Sequence, residues 1–433
     1  MRRVLMISPH FPPDTSASAH RVRLLAPHLP AFGWDPTVLT VEPSAYEGAL
    51  DPDLTRLVPS SLRVLHAPAW PARVTRTFGI GDLGLRSLSG LRRVADQVLR
   101  RERFDALFIT IFPSYPALLG PLLKRQHHIP FVLDYQDPWV GSWGYDVGGA
   151  ADGTADLKSR LSRALAKTLE PPVVRAADAI TAVSARTYED VLARVTDAHP
   201  KRCEAIPLGF ELRDLELLLR EPRRNPYFDG SDGYLHLCYV GTVLPMGFDV
   251  LRALLRAVVQ LREQAPSIFR RVRLHFFGTS NQRDPDAAAR VLPVARELGL
   301  EEVVTEVPPR LDYLDALNVQ LHAHALLLLG SSQPHYTPSK VFPAILSGRP
   351  ILAIYHSASP VIELLERRPR AVTVMFDEAH PIEGRVRAIA DAFERLAAPA
   401  DYSAVPVDED VRLERWSTAS LAGTLAAVLD EVA

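Results

Sequence analysis

The residues best suited to chemistry lie in one stretch of the second half, Tyr336-Thr337-Pro338-Ser339-Lys340-Val341-Phe342-Pro343-Ala344-Ile345-Leu346-Ser347-Gly348-Arg349-Pro350. Thr337 suits a helix N-cap and Pro338 the first helical position, where a missing N–H leaves nothing unpaired. Gly348 followed by Pro350 is a stop signal. The spacing predicts a helix over 338–346 with Ser339 and Lys340 in its first turn, beside unpaired amide donors. A lysine opposes the positive end of a helix unless an anion is bound there, so the pattern points to a phosphate site. A solvated lysine at a helix start is the plainer alternative. Lysine is scarce in this chain: it occurs only at 124, 158, 167, 201 and 340, and the remaining 44 cationic residues are arginine.

The first half offers acids, aromatics and histidine. In Leu133-Asp134-Tyr135-Gln136-Asp137-Pro138-Trp139, Asp134 and Asp137 could orient hydroxyl groups, while Trp139 or Trp143 could stack on a sugar or another ring. Asp137-Pro138 also reads as an ordinary turn. His10, in the proline-rich loop 8–18, is a candidate for the same place. The His127-His128 and His322/His324 pairs lack accompanying carboxylate or cysteine ligands, so no metal is expected. No G-x-S-x-G or G-x-x-x-x-G-K-[ST] occurs, which removes the common hydrolase and NTPase signals.

These residues need elements to position them. The first half repeats a short apolar run, a polar loop and a helical stretch, with strands expected at 4–7, 36–41, 106–111, 130–133 and 179–182. Strands apolar throughout and alternating with helices indicate a parallel sheet covered on both faces. Charge, proline and glycine concentrate between 207 and 233. The same pattern then restarts, with strands expected at 235–240, 272–277, 303–307, 325–329 and 351–354 and glycine turns at Gly241 and Gly278. The expected organisation is an α/β chain of two Rossmann-like α/β/α domains. Residues 1–206 form the first, 207–232 a linker and 233–405 the second, and a C-terminal helix in 406–433 packs back on the first. A ligand would bind between the halves, at the carboxyl ends of the strands.

Composition agrees with a folded, two-domain chain. The 433 residues are 47% apolar and 23% charged, and the net charge of −2 gives no reason to expect a nucleic-acid partner. Two cysteines, Cys203 and Cys238, make no disulfide framework, and a reducing cytoplasm is the simplest expectation. The longest charge-free apolar stretch, 106–123, holds Pro113, Pro116 and Pro121 and reads as a strand, a loop and a helix start rather than a membrane span. Arg86, Arg92, Arg93, Arg100, Arg101 and Arg103 fall in one amphipathic helix. That helix could rest on an anionic membrane face, though an ordinary surface helix explains the same pattern.

Taken in order along the chain, several motifs resemble those of retaining nucleotide-sugar glycosyltransferases of family 4, which have the two-Rossmann GT-B architecture. The loop Ser8-Pro9-His10-Phe11-Pro12-Pro13 looks like that of the polysaccharide-type members, and 133–139 resembles their D-x-R-D-P-W segment. Ala177-Asp178-Ala179-Ile180-Thr181-Ala182-Val183-Ser184 resembles A-D-x-V-x-x-V-S, and Pro207-Leu208-Gly209-Phe210 resembles P-N-G-x-D. Tyr239-Val240-Gly241-Thr242 and Phe276-Phe277-Gly278 are similar to the glycine turns of the donor domain. Two departures stand out. The family's Arg and Lys after the first donor-domain glycine are replaced by Thr242-Val243-Leu244-Pro245-Met246-Gly247, and its E-x7-E pair falls on His335 and Pro343. The first-domain histidine usual in the family is not evident; Thr110-Ile111-Phe112-Pro113-Ser114 occupies its place.

The resemblance implies transfer of a sugar from a nucleoside-diphosphate sugar to a hydroxyl-bearing acceptor, with retention, no metal and no other cofactor. Polysaccharide, lipid-linked and small-molecule acceptors all remain open. Gly241, Thr242, Gly278, Thr279, Pro308 and Arg310 are the expected donor contacts on one side, and His335, Tyr336, Thr337, Ser339, Lys340 and Glu363 on the other. Lys340, Asp137 and His10 are the expected catalytic residues, and Asp134, Asp137, Trp139 and Trp143 the acceptor contacts. The competing readings keep the fold: a degenerate, non-catalytic binding or partner subunit, a nucleotide-sugar epimerase, or a sugar phosphorylase.

Overall fold

The computed structural model describes residues 1–433 apart from 49, 141–156, 281, 333–339, 367, 398–401, 403 and 405–410. It divides into two compact units, Met1–Glu211 with Glu414–Ala433, and Leu212–Leu413.

The first unit holds seven parallel strands: β1 (Arg2–Ile7), β2 (Trp34–Val41), β3 (Arg63–Ala67), β4 (Ala106–Ile111), β5 (Phe131–Tyr135), β6 (Ala179–Ala182) and β7 (Arg202–Ala205), in spatial order 3-2-1-4-5-6-7. The central strands β1, β4 and β5 are almost entirely buried, as their largely apolar sequences require, with Thr110 and Asp134 as buried polar exceptions. The expected helix after β1 is α-helical only over Ala19–Leu25; Pro27 and Pro30 tighten Ala26–Phe32 into a 3₁₀ segment ending at Gly33, whose φ is 85°. The C-terminal helix Thr418–Val432 belongs to this unit. Ser417 caps it, its Oγ accepting from the Ser420 amide at 3.1 Å, and its apolar face meets Val4, Met6, Leu25 and Trp34. Indole Nε1 of Trp34 donates to Asp430 at 3.0 Å.

The second unit has six parallel strands: β8 (Leu235–Val240), β9 (Val272–Phe277), β10 (Val304–Val307), β11 (Ala325–Leu329), β12 (Ile351–His356) and β13 (Ala371–Phe376), in order 10-9-8-11-12-13. Its core packs the Phe248–Gln264 and Val386–Ala397 helices against β8, β9, β11 and β12. Inside the stretch expected as linker, Leu212–Arg220 is a leucine-rich helix, and Asp214 on it accepts from the Tyr313 hydroxyl at 2.8 Å.

Five of the six arginines expected in one amphipathic helix lie in Leu83–Arg101, Arg103 falls beyond its end, and they do not share one environment. Arg86 is buried, donating to the carbonyls of Trp70 and Ala45 at 3.0 and 3.1 Å and pairing with Glu47 at 3.2 Å. Arg92, Arg93, Arg100, Arg101 and Arg103 do reach solvent. Among the described residues, no helix is long and apolar enough to cross a membrane, and no group of histidine, cysteine and carboxylate side chains could hold a metal ion.

Candidate active site

In each sheet the strand order reverses at one point, between β1 and β4 in the first unit and between β8 and β11 in the second. Loops leaving adjacent strands diverge there, which opens a crevice beyond the carboxyl ends. The candidate residues concentrate at these two places.

In the second unit, β8 is followed directly by Gly241 with φ of 139°, a conformation open to glycine and strained for any other residue. A Cβ at that position would collide with the Lys340 side chain, so the bare backbone is what lets the lysine lie across the strand end. Lys340 Nζ donates to the Tyr239 hydroxyl at 3.0 Å and the Thr242 carbonyl at 3.4 Å, and sits 4.8 Å from the centre of the Tyr239 ring. The Tyr239 hydroxyl donates in turn to the Thr242 carbonyl at 2.9 Å; burial pushes its pKa well up, so it stays protonated. Tyr239, Thr242, Met246, Gly330 and Ser331 line a small crevice beside this arrangement. Gly278, with φ of 66°, turns the chain at the end of β9, where the Arg310 backbone comes within 3.6 Å of its would-be Cβ. The two loops are tied together by the Ser280 amide donating to the Pro308 carbonyl and the Arg310 amide to the Gln282 carbonyl, both at 2.9 Å.

In the first unit, the loop after β1 carries His10, whose Nδ1 lies 2.6 Å from Asp14 Oδ2. Ser16 Oγ donates to the same carboxyl at 2.5 Å and the Ser16 amide at 3.3 Å. Burial pushes the Asp14 carboxyl up, but the hydrogen bonds from His10 and Ser16 prevail and hold it below the ordinary range. The His10 ring is stacked on Tyr46 at 6.0 Å and on Phe112 at 5.9 Å, the latter on the loop leaving β4. Burial raises the Tyr46 phenol to about 12, and its hydroxyl donates to the Pro9 carbonyl at 2.9 Å. Asp137 is half-buried just beyond β5, hydrogen-bonded to no described residue, and burial raises its carboxyl above the ordinary value.

The glycosyl transferase 4-like domain family matches residues 16–209. No curated protein sequence matches the chain. Among solved structures, the UDP-forming alpha,alpha-trehalose-phosphate synthase of Burkholderia xenovorans is similar with a TM-score of 0.61 at 11% identity, over 100% of this chain and 99% of that one. Anabaena HepE in complex with UDP is similar with a TM-score of 0.54 at 14% identity, over 100% and 97%. HepE with UDP-glucose gives 0.53, again at 14% identity and over 100% and 97%. The fold is GT-B.

Within the GT-B frame the expected site residues separate. Gly241, Thr242, Gly278, Pro308, Arg310 and Lys340 all sit on loops at the carboxyl edge of the second sheet. Thr279 does not serve a donor: it is fully buried, and its hydroxyl donates to Glu306. Glu306 also accepts from the amides of Arg290, Val291 and Leu292 at 2.9, 3.0 and 2.8 Å, which anchors the start of the Leu292–Glu297 helix. Glu363 is exposed in the first turn of the Pro360–Leu365 helix. His335, Tyr336, Thr337 and Ser339 lie outside the described residues, as does Trp143. The helix expected from 338 spans Val341–Leu346, so Lys340 stands at its N-cap rather than inside its first turn. Six residues sum to a weak dipole, so the lysine ammonium, not the helix end, is the main positive charge here.

Asp134 needs correction as an acceptor contact. It is fully buried, and both its oxygens are taken: Arg21 donates through Nε at 2.9 Å and Nη2 at 2.6 Å, and Thr181 Oγ1 at 2.6 Å. The alternation of side chains along β5 turns Asp134 into the sheet's packed face. Trp139 is half-buried against the core on the opposite face of the sheet, that of Leu133 and Tyr135, and meets Tyr115 edge-on at 6.3 Å, so packing already occupies much of it. Asp14, Tyr46, Phe112 and Tyr239 escaped the sequence reading. Asp14 alone had a signal, an acid four residues beyond a histidine in the same loop.

Proposed function

We propose that this protein is a glycosyltransferase that moves a sugar from a nucleoside-diphosphate sugar to a hydroxyl-bearing acceptor with retention of configuration, the donor binding to the second unit and the acceptor to the first. The observation that carries this reading is the Gly241–Lys340 arrangement. A lysine ammonium is fixed over bare backbone at the switch point of a GT-B domain, where a diphosphate needs a cation and close approach. The match of residues 16–209 to the glycosyl transferase 4-like domain and the UDP bound in HepE support it.

In the reaction the bond between the anomeric carbon and the diphosphate oxygen breaks, and its electron pair leaves with the diphosphate. The acceptor oxygen bonds to the same face of the anomeric carbon and gives up its proton. Lys340 meets the charge that grows on the departing group; such stabilisation is usually the largest catalytic contribution. His10 and Asp137 line the acceptor side, where a histidine nitrogen or a carboxylate of raised pKa can take the hydroxyl proton.

Pro343 favours a second reading, a GT-B subunit that binds nucleotide sugar without transferring it. Standing where the related family has a carboxylate, proline offers no side-chain acceptor for a ribose hydroxyl. Calorimetry with UDP and other nucleoside diphosphates, followed by product analysis with their sugars, separates the two. Lys340→Ala should weaken diphosphate binding by roughly 10- to 150-fold, the value of one charge-assisted hydrogen bond of about 1.5–3 kcal/mol. A nucleoside without phosphates should be affected far less. Undiminished diphosphate affinity in Lys340→Ala would refute the donor assignment.

A further inference from the structure

Phe112 holds an unusual position. It follows β4 directly, its φ is 142°, and it is not glycine; such a backbone costs on the order of 1–3 kcal/mol and persists only where surrounding packing enforces it. The prolines that follow it are closely packed. Gly84 on the Leu83–Arg101 helix lies so close to Pro113 and Pro116 that a Cβ there would come within 2.8 Å of each, so the loop is clamped against the helix. The clamp leaves a large apolar ring 44% exposed at a sheet's switch point. One face of that ring is stacked on His10 at 27°, and His10 is the only ring it meets among the described residues.

His10 is equally constrained. Rings on two sides fix its plane, and the Asp14 carboxylate, 2.6 Å from Nδ1, can only accept there, which sets Nδ1 as the donor and turns Nε2 outward. Ser16 holds the carboxylate in place through two hydrogen bonds. The other charged or titratable groups facing His10 are Tyr46, which stays neutral, and Asp82 at the start of the Leu83–Arg101 helix. Among the described residues, Nε2 has no hydrogen-bond partner.

We propose that the acceptor is a pyranose sugar whose ring lies on the open face of Phe112 and whose attacking hydroxyl is bound by His10 Nε2, with Asp14 as the positioning residue that keeps His10 in its Nδ1–H form. This rests on the transferase reading above and narrows its acceptor. The C–H edges on one face of a pyranose carry slight positive charge and match the negative face of an aromatic ring, while an acyclic polyol presents no such surface. During transfer the acceptor O–H proton passes to Nε2 as the oxygen bonds to the anomeric carbon. Asp14 stabilises the imidazolium, which then returns the proton to solvent.

The experiment uses the full chain, with methyl α-glucopyranoside and glycerol as probes and saturation-transfer NMR as the readout. The glycoside should receive saturation at its ring protons and glycerol should not. Phe112→Ala should abolish the signal, and Phe112→Tyr should keep it. In parallel, ¹⁵N NMR of histidine-labelled protein should show His10 as the Nδ1–H tautomer, changing to predominantly Nε2–H in Asp14→Ala; Asp14→Asn serves if the alanine variant misfolds. UDP calorimetry on each variant should stay within about twofold of wild type. No glycoside signal in the wild type, a signal that survives Phe112→Ala, or an Nε2–H His10 in the wild type would each overturn the proposal. Failure of every nucleoside diphosphate to bind the wild type would instead sink the transferase reading.

Discussion

Asp134 and Asp137 lie three residues apart in one segment, and the structure gives them opposite work. Asp134 closes a buried ion pair with Arg21; the two side chains are 0% and 1% exposed. Arg21 further donates through Nη1 to the Ile206 carbonyl at 2.5 Å. The pair therefore joins the Ala19–Leu25 helix, β5, β6 and the segment after β7. Asp134→Ala leaves the guanidinium buried with its counter-charge removed, and breaking a buried pair in this way costs about 3–5 kcal/mol. For a unit of this size the corresponding drop in melting temperature is roughly 6–20 °C. Asp137 has no such partner, and its raised pKa means that the native fold disfavours its charged form. Asp137→Ala should thus be neutral or slightly stabilising near pH 7 while impairing glycosyl transfer, as expected of a group kept for function. Thermal melts of both variants, beside UDP calorimetry and transfer assays, make the comparison. If Asp134→Ala melts like wild type, the buried pair does not hold the unit together. If Asp137→Ala melts far lower, the residue forms a turn and its catalytic assignment fails.

Three further expectations follow from the second unit. Tyr239→Phe removes the hydroxyl that fixes Lys340 and keeps the ring, so UDP affinity should fall roughly 2- to 12-fold by calorimetry, the value of one neutral hydrogen bond of about 0.5–1.5 kcal/mol. Glu306→Ala leaves three backbone amides and the Thr279 hydroxyl without their acceptor, and urea unfolding should show a loss of at least about 2 kcal/mol. His275 is buried, with Nε2 2.8 Å from His236 Nδ1 and its own Nδ1 without a partner among the described residues, and burial followed by the charge of His236 lowers it to about 4. A lowered histidine binds protons better unfolded than folded. Its stabilising contribution is therefore complete above about pH 6.5 and is lost as pH falls toward 4, about 3 kcal/mol in all. Melting temperature should drop between pH 7 and 5, and His275→Gln should flatten that dependence.

How much of this was legible beforehand depends on burial. Sheet centres announce themselves because a strand covered on both faces must be almost wholly apolar, as Val4–Ile7, Ala106–Ile111 and Ala325–Leu329 are, with Thr110 the one polar residue among them. The strands that escaped notice, Arg63–Ala67, Arg202–Ala205 and Ala371–Phe376, are all sheet edges. With one neighbour and partial solvation they tolerate arginine, glutamate and threonine, so Arg63–Ala67 and Arg202–Ala205 carry no apolar run to read, and the run in Ala371–Phe376 is broken by Thr373. The Leu212–Arg220 helix was lost for a related reason: charge, proline and glycine on its C-terminal side masked a helix whose Leu212, Leu215 and Leu219 recur at helical spacing.

The site was legible where backbone conformation dictates residue type, and illegible where side chains meet across the fold. Gly241 and Gly278 show in sequence because positive φ at a strand end selects glycine. Asp134 misled because an aspartate at a strand end looks the same whether it faces a ligand or a buried arginine 113 residues away; only the pairing with Arg21 decides. Tyr239 is silent for the converse reason, since a tyrosine in an apolar strand reads as core until its hydroxyl is found against Lys340, 101 residues on. Both cases point the same way. In a sheet that draws its switch-point loops from distant parts of the chain, the chemistry of each group is set by a partner far off in sequence. Local motifs can therefore locate the crevice but cannot assign its residues. Phe112 is the extreme case, because the prolines that follow it pack against the bare backbone of Gly84 on another element.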